Sequence, residues 1–271
     1  MGITARNIAV HSLRGGTGCS SLAVNLAVGL NSLWDLPTIL IDLTMVAGQV
    51  ALMLNTPLRR TWADVARFNS VEFDKEALDS VISQHDSYLS FIAAPTFPAE
   101  AELISGETFS KALGLLRQQY EYIIADLPHD FSIIAVSALD EADLILMVIS
   151  PDLASIRAAA LDTYTRLNYP PEKIKVVLNA TFPKHGISSD NIESALSAPI
   201  IITIPYTPDK FVEAINYGLP IILNQSAEPI TGLMEDFVFH ISKDQHKKIK
   251  PENPTDSWKR VYKRYNERKR K

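Results

Sequence analysis

Eight consecutive residues, Arg14-Gly15-Gly16-Thr17-Gly18-Cys19-Ser20-Ser21, carry the strongest chemical signal in the chain. Glycines at this density let backbone N–H groups turn inward around an anion, and a helix starting directly behind them adds positive potential. The chemistry this supports is phosphate binding. The strict P-loop pattern G-x-x-x-x-G-K-[ST] is met at Gly18 and Ser20 but broken at Leu13 and Cys19. Taken alone, the segment also reads as a plain strand-to-helix turn. Other polar residues stand where apolar runs end: Asp42, Asp126 followed by Leu127-Pro128, Ser150-Pro151-Asp152, Asn179, and Ile204-Pro205. In parallel α/β sheets ligands bind outside the carboxyl ends of the strands, so these positions belong to the same candidate site. Their alternative role is to cap the turns that follow.

The elements that position these residues follow from apolar periodicity. Short apolar runs predict strands over Asn7–Ser12, Thr38–Leu43, Tyr88–Ala94, Tyr122–Leu127, Leu144–Ser150, Ile174–Asn179 and Ile200–Ile204. Helical spacing falls between them, over Ser20–Leu33, Lys75–Ile82, Thr108–Gln119, Leu153–Leu167, Asn191–Leu196 and Asp209–Asn216. Continuous apolar strands alternating with helices predict an α/β fold: a Rossmann-like P-loop architecture with a mostly parallel twisted sheet and helices on both faces.

Apolar residues make up 46% of the 271, enough for a sizeable core. No run reaches the ~18 apolar residues of a membrane-spanning helix, and no long apolar stretch opens the chain, which predicts a cytoplasmic protein. One cysteine rules out an internal disulfide framework, and the six scattered histidines lack metal-ligand spacing. The net charge of −5 hides an asymmetry. Residues 243–271 hold 12 Lys/Arg against 4 Asp/Glu, whereas the remainder holds 14 against 27. The chain therefore divides into an acidic body, 1–242, and a basic tail, 243–271, with a linker over Lys247–Pro254. Over Ser257–Lys271 a short helix is predicted, with Trp258, Val261, Tyr262 and Tyr265 as a narrow aromatic stripe. Anionic lipid, nucleic acid or an acidic protein would each suit these charges, nucleic acid least, and a solvated mobile tail is the bland alternative. The stripe is too narrow for a strong core contact, so the tail is expected to be dispensable for folding.

The motifs in order resemble those of the MinD/ParA family, the SIMIBI class of P-loop ATPases with a deviant Walker A. Arg14–Ser21 resembles K-G-G-x-G-K-[ST]-[ST]. Asp42-Leu43-Thr44 resembles the switch I motif D-x-D, and Asp126-Leu127-Pro128 the D-x-P segment. Val177-Leu178-Asn179 and Ile204-Pro205-Tyr206 are similar to the two segments around the adenine. The resemblance spans about Asn7 to Leu223. Within the family, Gly48–Asn55 and Ala94–Leu103 are most similar to CpaE/TadZ proteins, which localise Tad/Flp pilus assembly. Those proteins carry a receiver-like domain ahead of the ATPase, which is expected to be missing here.

The resemblance implies ATP and Mg²⁺ as ligands. It places nucleotide contacts at Arg14, Gly15, Gly16, Thr17, Gly18, Cys19, Ser20, Ser21, Asn179, Pro205 and Tyr206, and metal contacts at Ser20, Asp42 and Asp126. Two departures bear on catalysis. Cys19 stands where the P-loop lysine reaches the β- and γ-phosphates, and Thr44 where the second switch Asp orients water. Losing the lysine costs ~1.5–3 kcal/mol of binding, roughly 10- to 100-fold. Losing both groups should slow phosphoryl transfer by orders of magnitude. Asp42 and Arg14 remain as catalytic candidates. Arg14 replaces the signature lysine that reaches a partner's nucleotide, and its guanidinium keeps the charge. A cysteine at a helix N-terminus can also be a low-pKa redox group. The implied protein is an ATP-dependent homodimer and localisation scaffold, peripheral at the inner face of the membrane or on pilus or secretion machinery. An active positioning ATPase and a module with a vestigial pocket are the alternatives. Nitrogenase-iron-protein relatives share the P-loop but need two cysteines per subunit.

Overall fold

The computed structural model describes residues 5–65, 68, 73–101, 104–160, 169–184 and 186–269. Eight strands form one sheet: β1 Arg6–His11, β2 Thr38–Asp42, β3 Ser83–Gln84, β4 Ser90–Ile92, β5 Tyr122–Asp126, β6 Leu144–Ile149, β7 Ile174–Asn179 and β8 Ile200–Ile204. Their order is β3-β4-β2-β5-β1-β6-β7-β8. Every pairing is parallel except the short antiparallel β3–β4 ribbon at one edge. The helices are α1 Cys19–Trp34, α2 Val50–Met53, α3 Trp62–Val65, α4 Lys75–Asp79, α5 Pro98–Ala101, α6 Gly106–Leu116, α7 Ile133–Asp140, α8 Leu153–Ala158, α9 Ser189–Leu196, α10 Pro208–Tyr217, α11 Ile230–Ile241, α12 Asp244–Lys248 and α13 Asp256–Lys269.

The central strands read as unbroken apolar runs because both sheet faces are covered. Successive side chains point to opposite faces, so neighbours in sequence enter different cores. Ile8, Val10 and Leu40 join α1, α11 and α13 on one face. Ala9, Ile39 and Ile41 join α3, α6 and α7 on the other. The strand order turns at β1, which has β5 on one side and β6 on the other. The loops after β1, β5 and β6 therefore meet at the point where such sheets bind ligands.

Two expectations need correction. The predicted helix over Leu153–Leu167 is seen from Leu153 to Ala158, and residues 161–168 lie outside the described ones. The tail is not mobile over its described part, 243–269. Trp258 and Val261 are buried in the α1–α11 core. Arg260 and Arg264 both pair with Glu235, a buried carboxylate, and Arg264 and Arg268 pair with Asp236. The Ser257 hydroxyl also donates to Glu235. The narrow stripe makes a core contact after all, because the charges beside it are matched by two acids on α11. The expected linker, Lys247–Pro254, overlaps only the last two residues of α12, which lies against the body through the Lys243–Glu121 ion pair and the Tyr122 hydroxyl to His246 Nδ1 contact (2.7 Å).

Candidate phosphate-binding site at the mouth of β1

The loop Ser12–Gly18 leaves β1 and delivers the chain into α1. Gly16 (φ +78°) and Gly18 (φ +93°) adopt the left-handed region, which glycine enters without a Cβ penalty. Gly18 is also the α1 N-cap, with no side chain to satisfy the first N–H groups of the helix. A Cβ at Gly18 would lie 2.6 Å from Asn179 Nδ2, so any side chain there would collide as well as strain the backbone. That same Nδ2 donates to the Thr17 carbonyl at 2.8 Å. Asn179 thus clamps the loop from the end of β7, and its Oδ1 remains to accept from a ligand.

Asp42 and Asp126 close the other side. They are register partners on β2 and β5, both buried. Asp42 Oδ1 accepts from the Thr44 N–H (3.1 Å) and Oδ2 from the Val50 N–H (3.2 Å), which folds the segment after β2 back over the site. Gly48 makes that fold possible, since a Cβ there would lie 2.4 Å from Asp42 Oδ2. Burial pushes the Asp42 carboxyl up to about 6 against these hydrogen bonds. Asp126 is pushed up by burial first and by Asp42 second. Ser20 lies close enough to favour its anion, but neither Asp126 oxygen completes a well-aligned hydrogen bond. Two adjacent buried carboxylates, one with no hydrogen-bonded oxygen, fit a divalent cation. No cluster of three or more His, Cys, Asp or Glu occurs among the described residues. Mg²⁺ suits such a sparse set because it keeps waters and takes phosphate oxygens as ligands. Ser20, Asp42 and Asp126 would hold it, and it would neutralise phosphate charge.

Cys19 is buried at the first position of α1, where its thiol is 3.5 Å from Thr17 Oγ1. Burial pushes its pKa up to about 12. The low-pKa redox reading is therefore corrected: desolvation outweighs the helix N-terminus, and the group is a neutral thiol. Arg14 pairs within the chain with Asp152, which also caps α8 by accepting from the Ser155 N–H at 3.0 Å. Burial disfavours the Asp152 anion, but Arg14 and the Ser155 N–H outweigh it and hold the carboxyl below its usual range.

Gly18, Ser21 and Asn179 share a cleft of about 220 Å³ with Ile204, Pro205, Tyr206, Thr207 and Phe211. This brings together the two segments that the sequence assigned to the base. A larger groove of about 1250 Å³ runs along the β3 edge past Arg59, Arg60 and Tyr217, and contains none of the residues of the glycine loop, the two aspartates or the base segments. Two site residues escaped the sequence reading. His11 ends β1 buried beneath the loop, its ring 5.6 Å from Phe131, with its pKa lowered to about 4 by burial first and His129 second. His129 follows the D-x-P segment and binds the Ser12 carbonyl through Nδ1 at 2.8 Å. Single histidines carry no spacing pattern, so only the fold reveals them.

Known proteins are similar to this chain in sequence and fold. A family profile described as "Cellulose biosynthesis protein BcsQ" matches residues 5–165. The septum site-determining protein MinD of Thermotoga maritima is 28% identical over 225 residues, covering 80% of this chain and 81% of its own. The crystal structure of a ParA family ATPase from Chlorobium tepidum superposes with a TM-score of 0.80 at 25% identity, over 87% of this chain and 99% of the other. MinD from Pyrococcus horikoshii, solved with Mg-ADP, has a TM-score of 0.77 at 17% identity, over 91% and 100%.

Proposed function

The chain belongs to the BcsQ family of MinD/ParA-type P-loop ATPases, and on that premise we propose that it is a nucleotide-dependent positioning scaffold that binds ATP·Mg²⁺ and turns it over little. The observation that carries this reading is the pairing of a preformed cradle with missing catalytic charge. Glycines in left-handed conformation, the Asn179 clamp and the buried Asp42–Asp126 pair remain, while neutral Cys19 and Thr44 occupy the positions of a cation and a carboxylate. Phosphoryl transfer depends on positioning and on charge stabilisation, so retained binding with lost charge separates affinity from rate. The cleft beside Asn179 and Pro205–Thr207 takes the base, and an amide there reads the adenine edge. The Mg-ADP in the Pyrococcus horikoshii MinD structure supports the same ligands here.

ATP favours a face-to-face dimer in which Arg14 leaves Asp152 and contacts the partner's nucleotide. Three large apolar side chains support such a face: Val46, Ile133 and Leu153 stand 66–76% exposed in segments after β2, β5 and β6, around the cradle. A related MinD from Aquifex aeolicus was solved in a MinC:MinD complex, which supports a protein partner on the same fold. The machinery served is membrane-bound. The family description favours cellulose biosynthesis. A second reading, Tad/Flp pilus assembly, rests on the CpaE/TadZ-like segments Gly48–Asn55 and Ala94–Leu103; residues 102 and 103 lie outside the described ones. No helix among the described residues is long and apolar enough to cross a membrane. Peripheral contact would instead use the exposed Lys263 and Lys259, the latter held only by the exposed Asp256, with half-exposed Tyr262 and Tyr265, since Arg260 and Arg264 are committed to the buried Glu235. Co-sedimentation with anionic vesicles should therefore drop with salt and in a Lys259→Glu, Lys263→Glu variant. Light scattering with and without ATP tests the dimer; an ATP-insensitive mass contradicts it.

A further inference from the structure

The loop that should carry a phosphate-binding cation has lost it at Cys19, and Arg14 is tied to Asp152. Arg14 is the only Lys or Arg between Asn7 and Val50, and none occurs between Asp126 and Asp152. Against the same loop stands His129. Its Nδ1 contacts the Ser12 carbonyl at 2.8 Å, and a carbonyl can only accept, so Nδ1 carries the hydrogen. This fixes the ring, and its other edge faces the loop: a Cβ on Gly15 would lie 3.5 Å from His129 Cδ2 and 3.9 Å from Nε2. The side chain is exposed, and Nε2 makes no hydrogen bond among the described residues. The groups around it are accounted for. His11 of β1 lies below, buried; Asp130 is turned to the Ser132 N–H at 2.9 Å; Arg14 and Asp152 hold each other.

We propose that His129 is a phosphate-binding residue, whose Nε2 takes a proton and donates to the outer phosphate of a nucleotide in the loop, standing in for the charge absent at Cys19. This rests on the reading of the loop as an ATP site. A bound polyphosphate favours the imidazolium over the neutral ring. Nucleotide binding then takes up a proton and strengthens as pH falls, a linkage that a lysine-bearing loop would not have.

The test is calorimetry of the full chain with ATP·Mg²⁺ at pH 6.5 and 8.0, each in two buffers of different ionisation enthalpy. His129→Asn is the informative variant, because its amide can still donate to the Ser12 carbonyl while Nε2 is removed. Lys184→Ala controls for the exposed lysine in the loop after β7. ATP itself titrates in this range, so the difference between parent and variant is the quantity read. The expected result is proton uptake by the parent, affinity in His129→Asn about tenfold weaker at pH 6.5 and less dependent on pH, and Lys184→Ala like the parent. A parent that binds while His129→Asn matches its affinity and proton uptake overturns the assignment and leaves the ATP site standing. A parent that binds no ATP at either pH overturns both.

Discussion

Asp126 is the residue where the structure stores an unfavourable arrangement: a carboxyl with no well-formed hydrogen bond, buried beside Asp42. Both groups hold protons more tightly in the folded chain than in the unfolded one. Their contribution to stability is therefore present below the ordinary carboxylate range and lost as pH rises through about 6 for Asp42. Without cation and nucleotide, the Asp42–Asp126 pair should lower the melting temperature at pH 8 relative to pH 5.5; His11, with its depressed pKa, works the opposite way below 6.5, so the difference between the parent and Asp126→Asn reads the pair. Asp126→Asn should raise the melting temperature of the free protein at pH 8 by a few degrees, the size of about 1 kcal/mol. It should also weaken the response to Mg²⁺ with ATP. A melting temperature that drops in the variant would show that Asp126 is already satisfied. At Cys19 and Thr44 the lost groups act as a unit, so Cys19→Lys with Thr44→Asp should restore more phosphate release than the two single changes summed. At Asp152, substitution by Asn keeps an α8 cap and frees Arg14. The half-exposed pair is worth ~0.2–1 kcal/mol, so ATP-driven dimerisation should shift by a few-fold at most. Sedimentation velocity across ATP concentrations reads this, and a loss of dimer would place Asp152 in the interface itself.

At the scale of elements, the docking of α13 changes what its truncation should do. Trp258 is 5% exposed and stacks on Tyr262 at a centroid distance of 4.5 Å, and Thr255 Oγ1 donates to the Leu33 carbonyl at 2.9 Å. Trp258→Ala should cost ~3 kcal/mol in denaturant unfolding, and a chain ending at Ser242 should be less stable still, having left Glu235 without its guanidinium partners. An unchanged unfolding midpoint in either would return this segment to the status of a loose tail. The sequence carried the parts of this contact without its outcome. The opposite charges of body and tail were legible, as was the stripe, but a stripe does not say which surface covers it. Most strands of the central sheet were legible because two-sided burial forces apolar continuity. Helix α7 was not, since Ile133–Asp140 is apolar except at Ser137 and Asp140 and shows almost no helical period. Helix α11 lies outside the predicted elements although Ile230, Met234, Phe237, Val238 and Ile241 have helical spacing. For the candidate site, motif order picked out the glycine loop and both aspartates, which the fold brings to the same end of the sheet. The Asn179 clamp, the Arg14–Asp152 pair and the two histidines are contacts between distant segments that no local pattern encodes.

Across the whole molecule, α1 is the common member. Its N-terminus forms the cradle, its flank packs on α11 and α13, and its last residue, Trp34, donates from Nε1 to Ser242 Oγ at 2.7 Å. Sixteen residues of helix span ~24 Å. A ligand at the cradle should therefore stabilise the chain as a unit, by ~2.7 kcal/mol at a hundredfold excess over its dissociation constant. This fold is expected to hold ATP and leave it largely intact, and ³¹P NMR of ATP·Mg²⁺ mixed with the protein tests both halves in one sample. The expected result is shifted or broadened β- and γ-phosphate resonances that persist for hours, with no growth of inorganic phosphate beyond the protein-free rate. Unperturbed resonances, or phosphate released at the pace of an ordinary MinD-type ATPase, would contradict it.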